Sequence, residues 1–243
     1  MEEDIMNKIE IRPDIPQYMA QLRRWLAENE NTPLEEMDQF FASRADIYEA
    51  HMAQWQPAYA FLAGLVPKSA ETLLDLGCGT GLELTGILRR LPGLRITGID
   101  LSQTMLNRLR QKFPDQHIEL ICADYFQAAL GENRFDAAIS FESLHHFKPK
   151  KKQTLFDKLY TALKPGGVYI HGDYLACCPE EEALLFSVCA EKRARAGIAE
   201  DTFVHFDTPL TLGHEIELLR NSGFRNIRFV RCIAGASILT MEK

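Results

Sequence analysis

The run Leu73-Leu74-Asp75-Leu76-Gly77-Cys78-Gly79-Thr80-Gly81 constrains this chain more than any other stretch. Apolar residues lead into glycines at alternate positions, and an amphipathic stretch follows, which reads as a buried strand, a tight turn and a helix. Glycine admits positive φ and lets a ligand come closer to the backbone than a Cβ would permit. Such turns belong to open α/β sheets, where ligands sit beyond the carboxyl ends of the strands.

The remaining pattern agrees with that setting. Short apolar runs predict strands over 72–76, 95–100, 118–122, 135–141 and 167–173, with helices over 82–91, 103–113 and 151–163 between them. A helix over 213–222 leads into two final apolar runs, 224–231 and 236–241. The expected fold class is α/β, a doubly wound, seven-stranded, mostly parallel Rossmann-like sheet. From Asp14 to Leu65 apolar residues recur at helical spacing, broken at Asn31-Thr32-Pro33 by a cap and first-turn pattern. We therefore divide the chain into an N-terminal helical cap over 1–66 and a ligand-binding catalytic domain over 67–243. An insertion over 174–212, with one helix over 180–196 and an irregular stretch over 203–209, is expected on the substrate side.

Composition removes several classes of function. The 243 residues carry a formal charge of −7, and basic residues are dispersed except for Lys148, Lys150, Lys151 and Lys152 around Pro149, so nucleic acid is not expected as a partner. That lysine run reads as a solvated helix face. The stretch Met1 to Ile11 has no basic leader, and no segment approaches the roughly 18 apolar residues of a membrane span, so no membrane is expected and the location expected is cytoplasmic. The six cysteines form no CxxC pair, which argues against a disulfide framework or a zinc site, and no metal is expected. The adjacent Cys177 and Cys178 read as small buried hydrophobes. A homodimer is left open.

The ligand follows from the turn and its neighbours. Counted from Gly77 or Gly79, the third position of a dinucleotide GxGxxG fingerprint falls on Leu82 or Leu84, and no lysine follows to make a phosphate-binding GxxxxGK[ST] loop. The second strand ends at Asp100, whose carboxylate can accept from both hydroxyls of a ribose, while Ser102 can cap the next helix by itself. The third strand ends at Asp124, suited to accept from an exocyclic adenine amine. The pocket suits an adenosine.

With "LLDLGCGTG", "GIDLSQTML", "CAD", "FDAAISFESLHHF" and "LKPGGVYIHGDY" in this order and spacing, the chain resembles the class I S-adenosylmethionine-dependent methyltransferases, small-molecule type, over about residues 72–173. The resemblance implies S-adenosyl-L-methionine as cofactor, with Gly77, Cys78, Gly79 and Gly81 around its methionine part and Asp75 helping to hold that end. It places Asp100 on the ribose, Leu101 and Met105 beside the adenine, and Asp124 and Tyr125 at the adenine amine. Phe141 would lie against the cofactor from the other side. Tyr48 of the cap would approach the sulfonium, or else simply pack an amphipathic helix.

Methyl transfer is an in-line displacement, so the protein must chiefly align an acceptor near the methyl carbon and exclude water. A general base matters only for an acceptor that is protonated at working pH. Glu142 and His145, after strand four, are the catalytic candidates, with His146 beside them; His171, Tyr174, Phe203, His205 and Phe206 would line the substrate region if the insertion folds back. The expected function is methyl transfer to a small-molecule acceptor. Alternatives are a catalytically silent cofactor-binding or regulatory protein of the same fold, and a dinucleotide-dependent oxidoreductase, which the missing third glycine disfavours.

Overall fold

The computed structural model describes residues 14–243, so the expectation drawn from Met1 to Ile11 lies outside the described residues. Three helices come first: α1 (Ile15–Glu28), α2 (Met37–Met52) and α3 (Gln56–Leu65), the last two joined by a 3-10 turn (Ala53–Trp55). Asp14 starts α1 by accepting from the Gln17 amide at 2.9 Å. The break after α1 is wider than the sequence suggests. Asn31-Thr32-Pro33 does not cap α2, which begins at Met37 with no side-chain cap. Instead Lys192 gathers the carbonyls of Asn29, Glu30 and Thr32 at 2.8–2.9 Å, so a distant cation fixes this link.

The sheet contains β1 (Thr72–Leu76), β2 (Arg95–Asp100), β3 (Ile118–Cys122), β4 (Phe135–Phe141), β5 (Leu163–Tyr174), β6 (Arg225–Ile233) and β7 (Ala236–Glu242), in the order β3-β2-β1-β4-β5-β7-β6. The first five strands are parallel, and β7 runs antiparallel between β5 and β6. Helices α4 (Leu84–Arg90), α5 (Gln103–Lys112), α6 (Pro149–Ala162) and α8 (Leu212–Asn221) connect them, with α7 (Pro179–Ala196) in the insertion. One apolar core lies between α3, α4, α5 and one face of the sheet, and a second between α6, α8 and the other. Covered on both sides, β1 and β4 are nearly continuous runs of buried side chains, as parallel strands require. The strand order reverses between β1 and β4, and ligands bind at such a switch point.

Two readings are corrected. Strand β5 begins four residues earlier than predicted, where Leu163 pairs with Phe135 before a register shift. The lysine run is not uniformly solvated, because Lys152 is buried and its Nζ lies 2.6 Å from Glu215 Oε2. Lys152 shares a helix face with Leu155, Phe156 and Leu159, all buried, so the turn of α6 carries it inward. No helix among the described residues is long and apolar enough to cross a membrane.

The cap and the insertion meet over the carboxyl ends of the strands. Glu36 bridges Val204, Met37 N donates to Phe203 O at 3.0 Å, and His205 N donates to Glu35 O at 2.9 Å. Ala176 bridges Thr211, which ties the base of the insertion back to the start of α8.

Candidate active site

The glycine bend follows β1 directly. The Gly77 and Cys78 amides donate to Ile99 O at 2.8 and 3.2 Å, which draws the bend toward β2. Asp100, ending β2, accepts from Gly79 N at 2.9 Å through Oδ2 and from Ser102 N at 2.8 Å through Oδ1. Its carboxylate thus holds the bend and opens α5 together, while Ser102 caps Met105 N at 3.4 Å. A Cβ at Gly77, where φ is 71°, would stand 2.8 Å from Ser143 Cβ. One at Gly79, where φ is 47°, would stand 3.3 Å from the Tyr48 hydroxyl. The bend is a cradle that side chains would fill, which suits a ligand lying on backbone.

A narrow cleft of about 70 Å³ opens here, lined by Tyr48, Gly77, Gly79, Asp100, Leu101, Met105, Tyr125, Phe141 and Glu142, with Met37, Phe41, Ser143, His146 and Phe147 completing it. Nine predicted positions therefore meet in one place. Asp75, Cys78, Gly81 and Asp124 do not line it. The Asp124 carboxylate accepts from Phe126 N at 2.8 Å, a local turn that the sequence reading did not anticipate. Asp75 lies behind the bend beside Glu83; burial pushes both carboxyls above their ordinary range, and the neighbouring Glu83 raises Asp75 further. Asp75 Oδ2, Glu83 Oε1 and Thr80 Oγ1 are buried without a hydrogen-bond partner, acceptors of the kind an ammonium group satisfies. Glu83 was missed; its signal is an acid between Leu82 and Leu84 in an otherwise apolar first turn.

Beside the cleft lies a cavity of about 510 Å³ that shares Phe41, Tyr48, Glu142 and His146 with it. Phe40, Arg44, Trp55, Tyr174, His205 and Asp207 also line it. Of the residues expected there, Tyr174 and His205 face it and Phe206 lines an adjoining cavity. Phe203 lies elsewhere, under the Lys151 ammonium at 3.5 Å. His171 is a correction as well: it is fully buried behind the cavity, bonded to Ser140 Oγ at 2.9 Å and Glu215 Oε1 at 3.0 Å. Cys177 and Cys178 are half-buried, and the cysteines form no disulfide among the described residues.

The titratable groups cluster at this cavity. Glu142, on the first residue after β4, is held at φ 49°, a conformation costly for a non-glycine residue and common at functional sites. Its amide donates to Gly172 O at 2.8 Å, yet Oε1 is buried with no partner. Burial raises its carboxyl to about 8. His145 Nδ1 lies 2.5 Å from Asp173 Oδ1. Burial disfavours the His145 imidazolium, but the Asp173 and Asp207 carboxylates outweigh it and hold its pKa well above the ordinary value. Burial likewise opposes ionisation of Asp173, and His145 overcomes this, bringing it down to about 2. Asp207 Oδ1 reaches both imidazoles, 3.5 Å from His145 Nε2 and 3.3 Å from His146 Nδ1. Asp207 was not among the expected residues, because nothing periodic marks the stretch over 203–209.

Residues 73–167 match a methyltransferase domain model. Over 220 residues the chain is 24% identical to a carboxy-S-adenosyl-L-methionine synthase of Campylobacter lari, covering 82% of this chain and 91% of that protein. The crystal structure of the S-adenosylmethionine-dependent methyltransferase SibL in its apo form superposes with a TM-score of 0.66 at 17% identity, over 99% of this chain and 72% of that one. Human N-acetylserotonin methyltransferase in complex with S-adenosylmethionine gives a TM-score of 0.57 at 21% identity, over 79% of this chain and 55% of that one, so the present chain spans about half of that protein. The glycine cradle, Asp100 and the unsatisfied acceptors behind the bend fit S-adenosylmethionine as the cofactor. The matched domain and the sheet order together support a class I S-adenosylmethionine-dependent methyltransferase.

Proposed function

We propose that this chain transfers a methyl group to a hydroxyl or amine of a small molecule seated in the 510 Å³ cavity. The observation that carries the reading is the shared wall: Phe41, Tyr48, Glu142 and His146 line both the cofactor cleft and the cavity, so an acceptor there adjoins the cofactor. The proposed cofactor contacts are the bend at Gly77 and Gly79, Asp100 under the ribose, Leu101, Met105 and Tyr125 beside the base, and Tyr48 and Phe141 toward the sulfonium, with Asp75 and Glu83 behind. S-adenosylmethionine, when bound, supplies the methyl group as an electrophile.

The chain's own residues handle the acceptor. Aromatic walls from Phe40, Phe41, Tyr48 and Trp55 exclude water and favour a flat molecule. His145, fixed by Asp173, turns Nε2 toward the cavity and orients the acceptor atom. Glu142 is suited to take the acceptor's proton, because its oxygen is unpartnered and a pKa near working pH is the best compromise for a base. A carboxylated ligand, as the Campylobacter relative's name would suggest, needs a cation in the cavity. Arg44 is the only arginine or lysine among the lining residues, and Glu35 takes it in two contacts of 2.7 and 3.0 Å. With Arg44 tied to Glu35 and the His145 imidazolium offset by Asp173 and Asp207, the cavity favours a hydroxyl or amine instead.

The test is S-adenosylhomocysteine formation by the purified protein across a panel of small phenols, alcohols and amines, followed by mass spectrometry. Turnover that falls at least about a hundredfold in Glu142→Gln supports the reading. Tight cofactor binding with no product across the panel would favour a silent binding protein.

A further inference from the structure

We propose that His145, His146 and Asp207 form a binding site for a divalent first-row transition metal of the zinc or iron(II) type on the wall of the acceptor cavity. His145 Nε2 stands 3.5 Å and His146 Nδ1 3.3 Å from Asp207 Oδ1, and the three donor atoms lie within 4.8 Å of one another. As hydrogen bonds these contacts are poor, since an N–H···O bond is normally near 2.9–3.0 Å, and the Phe206 carbonyl that also faces His146 Nδ1 stands no closer, at 3.3 Å. As neighbours on one ion they are well placed: ligands about 2.0–2.1 Å from a tetrahedral centre lie about 3.3 Å apart.

The surroundings support the same reading. Asp173 takes Nδ1 of His145 at 2.5 Å, which leaves Nε2 as the coordinating atom and reproduces the carboxylate-to-histidine support found behind metal ligands. The Asp207 segment is pinned to the same corner, because Thr208 N donates to His145 O at 2.8 Å and its hydroxyl to that carbonyl at 3.3 Å. Glu142 Oε1, buried and unpartnered, is a further acceptor at this corner that a cation would favour. The expectation of no metal rested on the cysteines, which play no part in this site.

The donor set selects the ion. Two imidazoles and one carboxylate, with open positions toward a cavity, suit zinc, iron or cobalt, whereas calcium and magnesium demand more oxygen. The inference rests on reading the cavity as the acceptor's. A hydroxyl coordinated there would ionise far more readily, His145 would act as a ligand, and Glu142 would remain the group that takes the proton.

The experiment uses untagged full-length protein, stripped with chelator and titrated with Co²⁺, then Zn²⁺. We expect a visible cobalt absorption band saturating at one equivalent and displaced by zinc. The band should vanish in Asp207→Asn and His146→Ala, and cobalt affinity should fall about 10- to 100-fold in Asp173→Asn. Circular dichroism checks that each variant is folded. No band in the wild type, or an undiminished band in folded Asp207→Asn, overturns the proposal. Methyl transfer unchanged after stripping, with no cobalt band, removes the metal and leaves the acceptor reading standing. A cobalt band without turnover on any acceptor keeps the metal site and counts against the acceptor reading.

Discussion

His145 Nδ1 and Asp173 Oδ1 approach to 2.5 Å with both side chains buried, and Asp173 also accepts from Leu144 N at 3.2 Å and Tyr174 N at 3.1 Å. The aspartate can barely rotate, so it fixes the orientation of the imidazole and favours its charged form. Asp173→Asn keeps the shape and removes that control. Turnover should fall by about a hundredfold or more, while S-adenosylhomocysteine affinity by calorimetry stays within about twofold. Equal losses in both would show that Asp173 only supports the fold.

Asp100 holds Gly79 and Ser102 by backbone bonds of 2.9 and 2.8 Å. Removing a charged acceptor of this kind costs about 1.5–3 kcal/mol, so Asp100→Ala should weaken S-adenosylhomocysteine about 10- to 100-fold. Gly79→Val should weaken it at least as much, since φ is 47° and the added Cβ meets Tyr48. Wild-type calorimetric affinity in folded Asp100→Ala would remove Asp100 from the cofactor site.

Lys152 and Glu215 are a buried ion pair, 1% and 0% exposed in their side chains. Lys152→Met leaves the buried Glu215 carboxylate without its ammonium partner, held by His171 alone, which should cost about 3–5 kcal/mol in urea unfolding. The double variant Lys152→Met with Glu215→Gln should recover most of this, because the neutral side-chain amide can still accept from His171.

Asp136 bonds Lys164 Nζ at 2.7 Å, Thr72 Oγ1 at 2.7 Å and the Glu71 and Thr72 amides. Burial opposes its ionisation, but Lys164 and Thr72 prevail and lower its pKa from 3.8 to about 2. A lowered folded pKa means stability present above the unfolded value and lost as pH falls through the folded one. The stability lead of wild type over Asp136→Asn should therefore be full above about pH 5, shrink as pH falls through about 2, and be gone near pH 1. Urea midpoints measured across that range check it; a lead at pH 2 as large as at pH 5 contradicts the assignment.

The first four strands coincide with their predicted spans because each is a short apolar run punctuated by glycine, proline or charge. That Gly77, Gly79, Asp100 and Leu101 meet in one cleft was legible for the same reason: they sit at strand ends, where local sequence fixes position. What escaped was non-local. Lys152 reads as surface until Glu215, 63 residues away, is brought beside it. Asp207 carries no periodic signal, and its meeting with His145 and His146 depends on how the insertion returns to the sheet. Asp124, expected at the adenine amine, accepts from Phe126 N in a local turn and does not line the cleft.

The backbone contacts between the 35–37 link and the 203–205 stretch join two walls of the 510 Å³ cavity that lie far apart in sequence. Phe40 of α2 stacks on His205 with ring centres 3.4 Å apart, which clamps the seam from inside. Under the proposed function, acceptor preference is a property of the two segments as a unit. A chimera that imports the cap of another such protein without its matching insertion would mispair this seam, and grafts intended to redirect selectivity should carry both pieces together.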